Sequence, residues 1–276
     1  MQDLIINFTP TGMVPTKAMN PKIPISIQEI IENTLEANEL GITLVHLHAR
    51  DENGEATYKK EIYGKIMDGI KKYAPDLVLC LSLSGRNFNE FSKRSEAIEL
   101  KPDMGSLTLS SLNFPKQASV NDPEMISSLA NKMKNYGVNP ELEIFDLGMI
   151  NFGQYLIDKG ILTGPYYFNI ILGNIAGLQM NIMSISAALT SLPNEAFWAL
   201  GGIGQFQLQA NSIAIALGGG VRVGLEDNLF YDKNKTLTSN ISLLKRIHTL
   251  AEIHERKVMS PSAFGSLGFY NKHRSI

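Results

Sequence analysis

Apolar runs of strand length alternate with segments of helical period from one end of the chain to the other. The pattern predicts eight strands, at 4–9, 43–50, 77–84, 104–110, 141–147, 166–172, 196–201 and 221–226. Helical stretches fill the intervals. The first is predicted over 26–38, with Ser26 as N-cap and Glu29 three residues on to complete a capping box. The last is predicted over 239–256. No Pro/Gly/Ser-rich linker divides the sequence, so residues 1–276 are expected to form a single domain. Eight uninterrupted strand–helix units favour an α/β fold of the closed (β/α)8 TIM-barrel type, although the count alone leaves an open doubly wound sheet possible.

Splitting each strand by parity sharpens this picture, because successive strand side chains point to opposite faces. Ile6 and Phe8 alternate with Asn7 and Thr9; Leu79, Leu81 and Leu83 with Cys80, Ser82 and Ser84. Leu107 and Leu109 alternate with Ser106, Thr108 and Ser110, and Val221, Val223 and Leu225 with Arg222, Gly224 and Glu226. In a barrel the apolar face packs on helices, so the polar set points into the interior. Any one of these hydroxyls could simply fill the barrel and hydrogen-bond a neighbour. Four strands agreeing points to a site, expected at the C-terminal strand ends.

Two histidines fall on that inner face. In Val45-His46-Leu47-His48-Ala49-Arg50 the imidazoles are about 7 Å apart along the strand, a separation that two ligands can close onto one ion. The segment Gly218 to Asn228 ends in Glu226 and Asp227, and Glu226 shares the face of Arg222. Read alone, Glu-Asp-Asn is a capping turn. Together with His-x-His it completes a His2Glu site for a divalent metal with a position left open. The remaining histidines, His248, His254 and His273, lie in or after the last helix, which argues against a two-metal hydrolase. Glu143 points inward, where it could bind substrate, orient Arg222 or balance its charge. Gly202 and Gly204 follow the seventh strand, at a place where barrels bind phosphate on backbone N–H groups, or serve only a tight turn.

Composition removes other classes. A net charge of -2 gives no general attraction for nucleic acid or anionic membranes. No apolar run reaches membrane-spanning length, and the start of the chain lacks the basic and apolar regions of a signal peptide. Cys80 is the single cysteine, so an intrachain disulfide is excluded. A cytoplasmic enzyme acting on a small molecule is expected.

The sequence resembles the β-keto acid cleavage enzymes along essentially its whole length. The matching landmarks are Thr11-Gly12, Pro24-Ile25-Ser26, Val45 to Asp51, Lys101-Pro102-Asp103-Met104 with Asn113-Phe114, Pro140 to Gly148 and Gly218 to Asn228. The resemblance implies a zinc enzyme, with other divalent metals possible, that condenses a β-keto acid with acetyl-CoA and cleaves the product to acetoacetate and a new acyl-CoA. It assigns His46, His48 and Glu226 to the metal, and Asp227 with Arg222 to forming the nucleophilic carbanion. Glu143, Ser82 and Ser106 fall where the family has further active-site groups, and Thr108 and Ser84 share their inner face. The alternative is a CoA-independent metal lyase or aldolase acting on a keto acid. A homo-oligomer, a tetramer by family tendency, is also implied.

Two positions and one segment depart from the family pattern. Gly220 stands where many relatives have His, and Glu255-Arg256-Lys257-Val258-Met259-Ser260-Pro261 follows the usual Gly-Arg pattern only loosely. Val14 lies in a segment where relatives that take amino-substituted keto acids carry an acid, so a cationic substrate is not expected.

Overall fold

The computed structural model describes residues 2–274. Its main sheet is a closed parallel barrel of β1 (Ile6–Phe8), β2 (Leu44–Leu47), β3 (Val78–Leu81), β4 (Met104–Thr108), β5 (Asn139–Ile144), β6 (Tyr167–Leu172), β7 (Phe197–Gly202) and β8 (Gly220–Val223). Each strand pairs with its sequence neighbours, and β1 pairs with β8 through Ile6↔Val221, Asn7↔Arg222 and Phe8↔Val223. The open-sheet alternative is thereby excluded. Long helices lie between most strands: α1 (Ile27–Leu40), α2 (Lys60–Lys71), α3 (Pro123–Tyr136), α4 (Leu147–Asp158), α5 (Ile182–Thr190) and α6 (Gln207–Leu217). A short helix, Phe91–Arg94, and a 3-10 turn, Glu96–Leu100, replace the long helix between β3 and β4; α7 (Asn240–Ile253) follows β8.

Parity predicts the layering. Leu79, Leu81, Leu107, Val221 and Val223 belong to the large core between strands and helices. Helix α1 meets it with Ile30, Ile31, Thr34 and Ala37, one face at helical spacing. The capping box forms as predicted: Ser26 Oγ accepts from Glu29 N at 3.2 Å and Glu29 Oε2 accepts from Ser26 N at 3.0 Å. Slight burial opposes charge on Glu29, yet Lys17 and the amides of Ile25 and Ser26 hold its pKa at about 2. A folded pKa below the ordinary 4.5 means that this contribution is full above pH 4.5 and is lost as pH falls through about 2. Ser26→Ala is expected to cost about 1 kcal/mol at neutral pH, measured by urea unfolding.

Most predicted ends shift, and three elements show why. The fifth strand begins at Asn139 and stops at Ile144, because Asp146 caps α4 by accepting from Met149 N at 3.0 Å, which makes Leu147 helical. The eighth ladder stops at Val223, and Glu226 lies in the turn that follows, where Asp227 N and Asn228 N both donate to Gly224 O. The last helix ends at Ile253, and Arg256 instead donates to the carbonyls of Ile215, Gly218 and Gly219 at the end of α6.

A second apolar cluster seals the barrel at the N-terminal strand ends. Ile5, Leu44, Val78, Met104, Tyr167 and Ala199 meet Met259, Phe264 and Phe269 from beyond α7. The rings of Phe264 and Phe269 stack 4.2 Å apart, with Tyr167 set edge-on at 5.7 Å from Phe264. Gly220 sits at this level, where an added Cβ would lie 2.9 Å from the Ile5 carbonyl oxygen. Ile5 thus fills the space that a larger residue at 220 would need. Among the described residues no helix is long and apolar enough to cross a membrane.

Candidate active site

Above the apolar floor the interior turns polar. Glu141, fully buried, gathers four donors: the amides of Asn7 and Asn169 (the latter at 3.0 Å), Cys80 Sγ at 3.3 Å, and His46 Nδ1 at 2.6 Å. Burial opposes its charge, but His46, Arg222 and Asn7 together bring its pKa down to about 2. Burial drives the Cys80 thiol in the opposite direction, so it stays protonated and donates. Glu141 lies two residues before Glu143 on the same strand face, and parity alone could have placed it inside.

His46 and His48 occupy the end of β2 and the residue after it, before Ala49–Arg50 turn outward to pair with Ala56–Thr57. His46 Nε2 lies 3.2 Å from His48 Nε2, which lies 3.2 Å from Glu226 Oε1. One donor atom from each residue falls within 4.8 Å of the others. Glu226 Oε2 is buried without a hydrogen-bond partner. Two facing imidazole nitrogens and an orphaned carboxylate oxygen are what a divalent cation would satisfy, so the residues fit a His2Glu metal site. Burial disfavours a charged His46, but Glu141 and Glu226 outweigh it and raise its pKa to about 9; a cation would replace that proton. The Glu141–His46 pair is the carboxylate–histidine arrangement that fixes a ligand's tautomer. His46, Cys80 and Glu141 also converge, but Glu141 is already saturated with donors and neither it nor Cys80 reaches the cavity.

Arg222 binds the acids of the site together. Its Nε donates to Asp227 Oδ2 at 2.7 Å and its NH2 nitrogen to Glu226 Oε1 at 2.6 Å, while NH1 lies 3.5 Å from Glu143 Oε1. Burial raises the Asp227 carboxyl, the neighbouring Glu226 adds to it, and Arg222 opposes both. Glu143 is likewise raised, chiefly by burial, and accepts from Thr108 Oγ1 at 2.7 Å.

These groups open into a cavity of about 550 Å³ at the C-terminal strand ends. His48, Glu226, Arg222, Asp227, Glu143, Ser82, Ser84 and Thr108 line it. Other predicted residues lie elsewhere. Ser106 Oγ accepts from Leu83 N at 3.0 Å and ties β4 to the end of β3, without lining the cavity. Ser110 is bonded to Ser111 O beyond the strand. Gly204 N donates to Asp227 O at 2.7 Å, so this amide holds the turn of the acid and is not free for a phosphate. Gly202 packs under the Phe206 backbone, where a Cβ would approach within 2.6 Å, and neither glycine lines the cavity. The tight-turn alternative therefore describes both glycines.

The loop after β1 closes one side. Arg50 donates to the carbonyls of Gly12, Pro15 and Gly54, which fixes that loop, and Met13, Val14 and Met19 face the cavity from it. Gly12 has φ 121°, and a Cβ there would meet Glu226 Cγ at 2.6 Å. Gly12→Ala is expected to push Glu226 out of line and weaken metal retention about 10-fold or more. Metal analysis after dialysis against a weak chelator checks it, since occupancy equal to wild type would show that Glu226 is not needed in this position.

A profile of the beta-keto acid cleavage enzymes matches residues 3–265. The chain belongs to the beta-keto acid cleavage enzyme family. Within and around that family, the 3-oxoadipate:acetyl-CoA acetyltransferase of Cupriavidus necator is 34% identical over 260 residues, 93% of this chain and 91% of that protein. The 3-keto-5-aminohexanoate cleavage enzyme of Acetoanaerobium sticklandii is 33% identical over 263 residues, 95% of this chain and 96% of that protein. A solved structure, the apo form of ObcA, superposes with a TM-score of 0.79 at 17% identity, over 91% of this chain and 66% of that longer one. It speaks for the shared barrel alone. The beta-keto acid cleavage enzyme landmarks Val45 to Asp51 and Gly218 to Asn228 are the two segments that meet at the His46–His48–Glu226 cluster.

Proposed function

We propose that this chain condenses a β-keto acid with acetyl-CoA and cleaves the product to acetoacetate and a new acyl-CoA, with a divalent metal, zinc by preference, on His46, His48 and Glu226. The observation that carries the reading is the convergence of those three donors beside a cavity that also holds Asp227 and Glu143, both paired with Arg222. The metal, when bound, supplies Lewis-acid stabilisation for the oxygens of the keto acid. Asp227, raised by burial and oriented by Arg222, takes the proton from the carbon between ketone and carboxylate. The carbanion attacks the acetyl carbonyl, a carbon–carbon bond forms, and CoA leaves as the thiolate. CoA thiolate then attacks the original ketone carbon. The bond between that carbon and the acetylated carbon breaks, which gives the new thioester, and the acetoacetate carbanion regains its proton from Asp227. Thr108 holds Glu143 beside Arg222, so the guanidinium stays in place through both halves.

Two imidazoles and a carboxylate also accept manganese, cobalt or iron, and metal analysis of protein purified without chelator tests the zinc assignment. The exposed side chains of Ile175, Ile182 and Met183 support a homo-oligomer, tested by light scattering. The deciding experiment is a mass-spectrometric screen of β-keto acids with acetyl-CoA. New acyl-CoA esters together with acetoacetate are expected. Acetoacetate formed equally well without acetyl-CoA would overturn the reading in favour of a lyase or aldolase.

A further inference from the structure

Two cations that line the cavity have no role in the reaction above, Arg86 and the exposed Lys116, and only Arg86 is held in a built setting. Arg86 lies in the loop after β3 and lines the cavity together with Met13, Val14 and Met19. Its guanidinium carbon sits 3.6 Å from the centroid of the Phe114 ring, which in turn packs edge-on against Phe145 at 5.7 Å. Gln117 Nε2 donates to the Arg86 carbonyl at 3.3 Å and to Asn87 Oδ1 at 3.1 Å, which pins the loop to the hairpin of Leu112–Asn113 and Ala118–Ser119. The platform is therefore built, and Phe114 covers one face of the guanidinium. Among the described residues no carboxylate lies within 4.0 Å of Arg86, and its buried Nε has no hydrogen-bond partner. The three acids in the cavity are turned towards Arg222 instead. A stacked, immobilised guanidinium with its donors unmatched by protein is a receptor for a planar anion. Met13, Val14 and Met19 add an apolar lining to the same cavity, which accommodates methylene groups.

We propose that Arg86 receives a carboxylate at the far end of the β-keto acid, so that the preferred substrates are 3-oxo-dicarboxylates. The inference rests on the reaction proposed above for its setting. The wild-type protein is expected to favour a 3-oxo-dicarboxylate over its distal methyl ester in kcat/KM, and Arg86→Gln to reduce that ratio about 10- to 100-fold. Arg86→Lys restores part of it. An anion on CoA is the other source of the same chemistry: if Arg86→Gln raises KM for acetyl-CoA and leaves the ratio untouched, the dicarboxylate assignment is overturned. Calorimetry with glutarate and its monomethyl ester reads the same contact without turnover. Tighter binding of glutarate, lost in Arg86→Gln, supports the inference; equal binding of the two ligands to wild type overturns it. Failure of every β-keto acid to give acetoacetate would overturn the reaction, whereas turnover of neutral β-keto acids with no preference for dicarboxylates would overturn only the Arg86 assignment.

Discussion

Asp227→Asn is expected to lower acetoacetate formation about 10²- to 10⁴-fold while leaving metal content unchanged. The side chains have nearly the same shape, and the amide oxygen can still accept from Arg222 Nε, now 2.7 Å from the carboxylate. Arg222 also keeps Glu226 at 2.6 Å, so the proposed ligand should hold its place. What disappears is the ability to take a proton. Exchange of the substrate's α-protons with deuterated solvent, followed by NMR in the presence of the enzyme, isolates that step from the later thioester chemistry. Exchange at the wild-type rate in Asp227→Asn would give the base role to another group, with Glu143 the first candidate.

Glu141→Ala is expected to cost about 3–5 kcal/mol of stability. It would also weaken metal binding about 10- to 100-fold, although Glu141 is not a ligand. The carboxylate is completely buried, and its loss leaves Asn7, Asn169, Cys80 and His46 with donors facing a void. His46 is affected most, because its Nδ1 partner fixes which nitrogen is presented at the cavity. Thermal unfolding and metal titration measure the two effects separately. Glu141→Gln retains the volume and an acceptor, and should recover stability more fully than metal affinity.

Much of this site is legible in the sequence because strand parity is a two-residue rule. His46, His48, Arg222, Glu143, Ser82 and Thr108 all follow from it, and all but His46 line the cavity, with His46 directly behind His48. Parity fails where the strand stops. Parity places Glu226 on the inner face of a strand, but it reaches the site from a turn held by Gly224 and by Gly204 N on Asp227 O. The same turn uses the amide that a glycine-rich sequence suggested for phosphate. Glu141 is legible in principle; its importance is not, because its four donors come from four other strands that meet only on closure. Arg86 carries no periodic signal at all. It sits in a loop, and its stacking on Phe114 depends on a hairpin nearly thirty residues later in the chain. The closing cluster beyond α7 escaped for a related reason: Phe264 and Phe269 lie on short turns whose apolar spacing is neither two nor 3.6.

That closing cluster has a consequence for synthesis. Translation delivers Phe264 and Phe269 after all eight strands, yet they cover the interior that β2, β3, β4 and β6 expose from the outset. Until they emerge, Val78, Met104 and Tyr167 face an unstoppered tube, and the contacts of Thr43 with Met259 span 216 residues. A nascent barrel of this kind would need shielding from other chains for nearly the whole of its manufacture, and its last step of assembly would be the corking of the end opposite the active site.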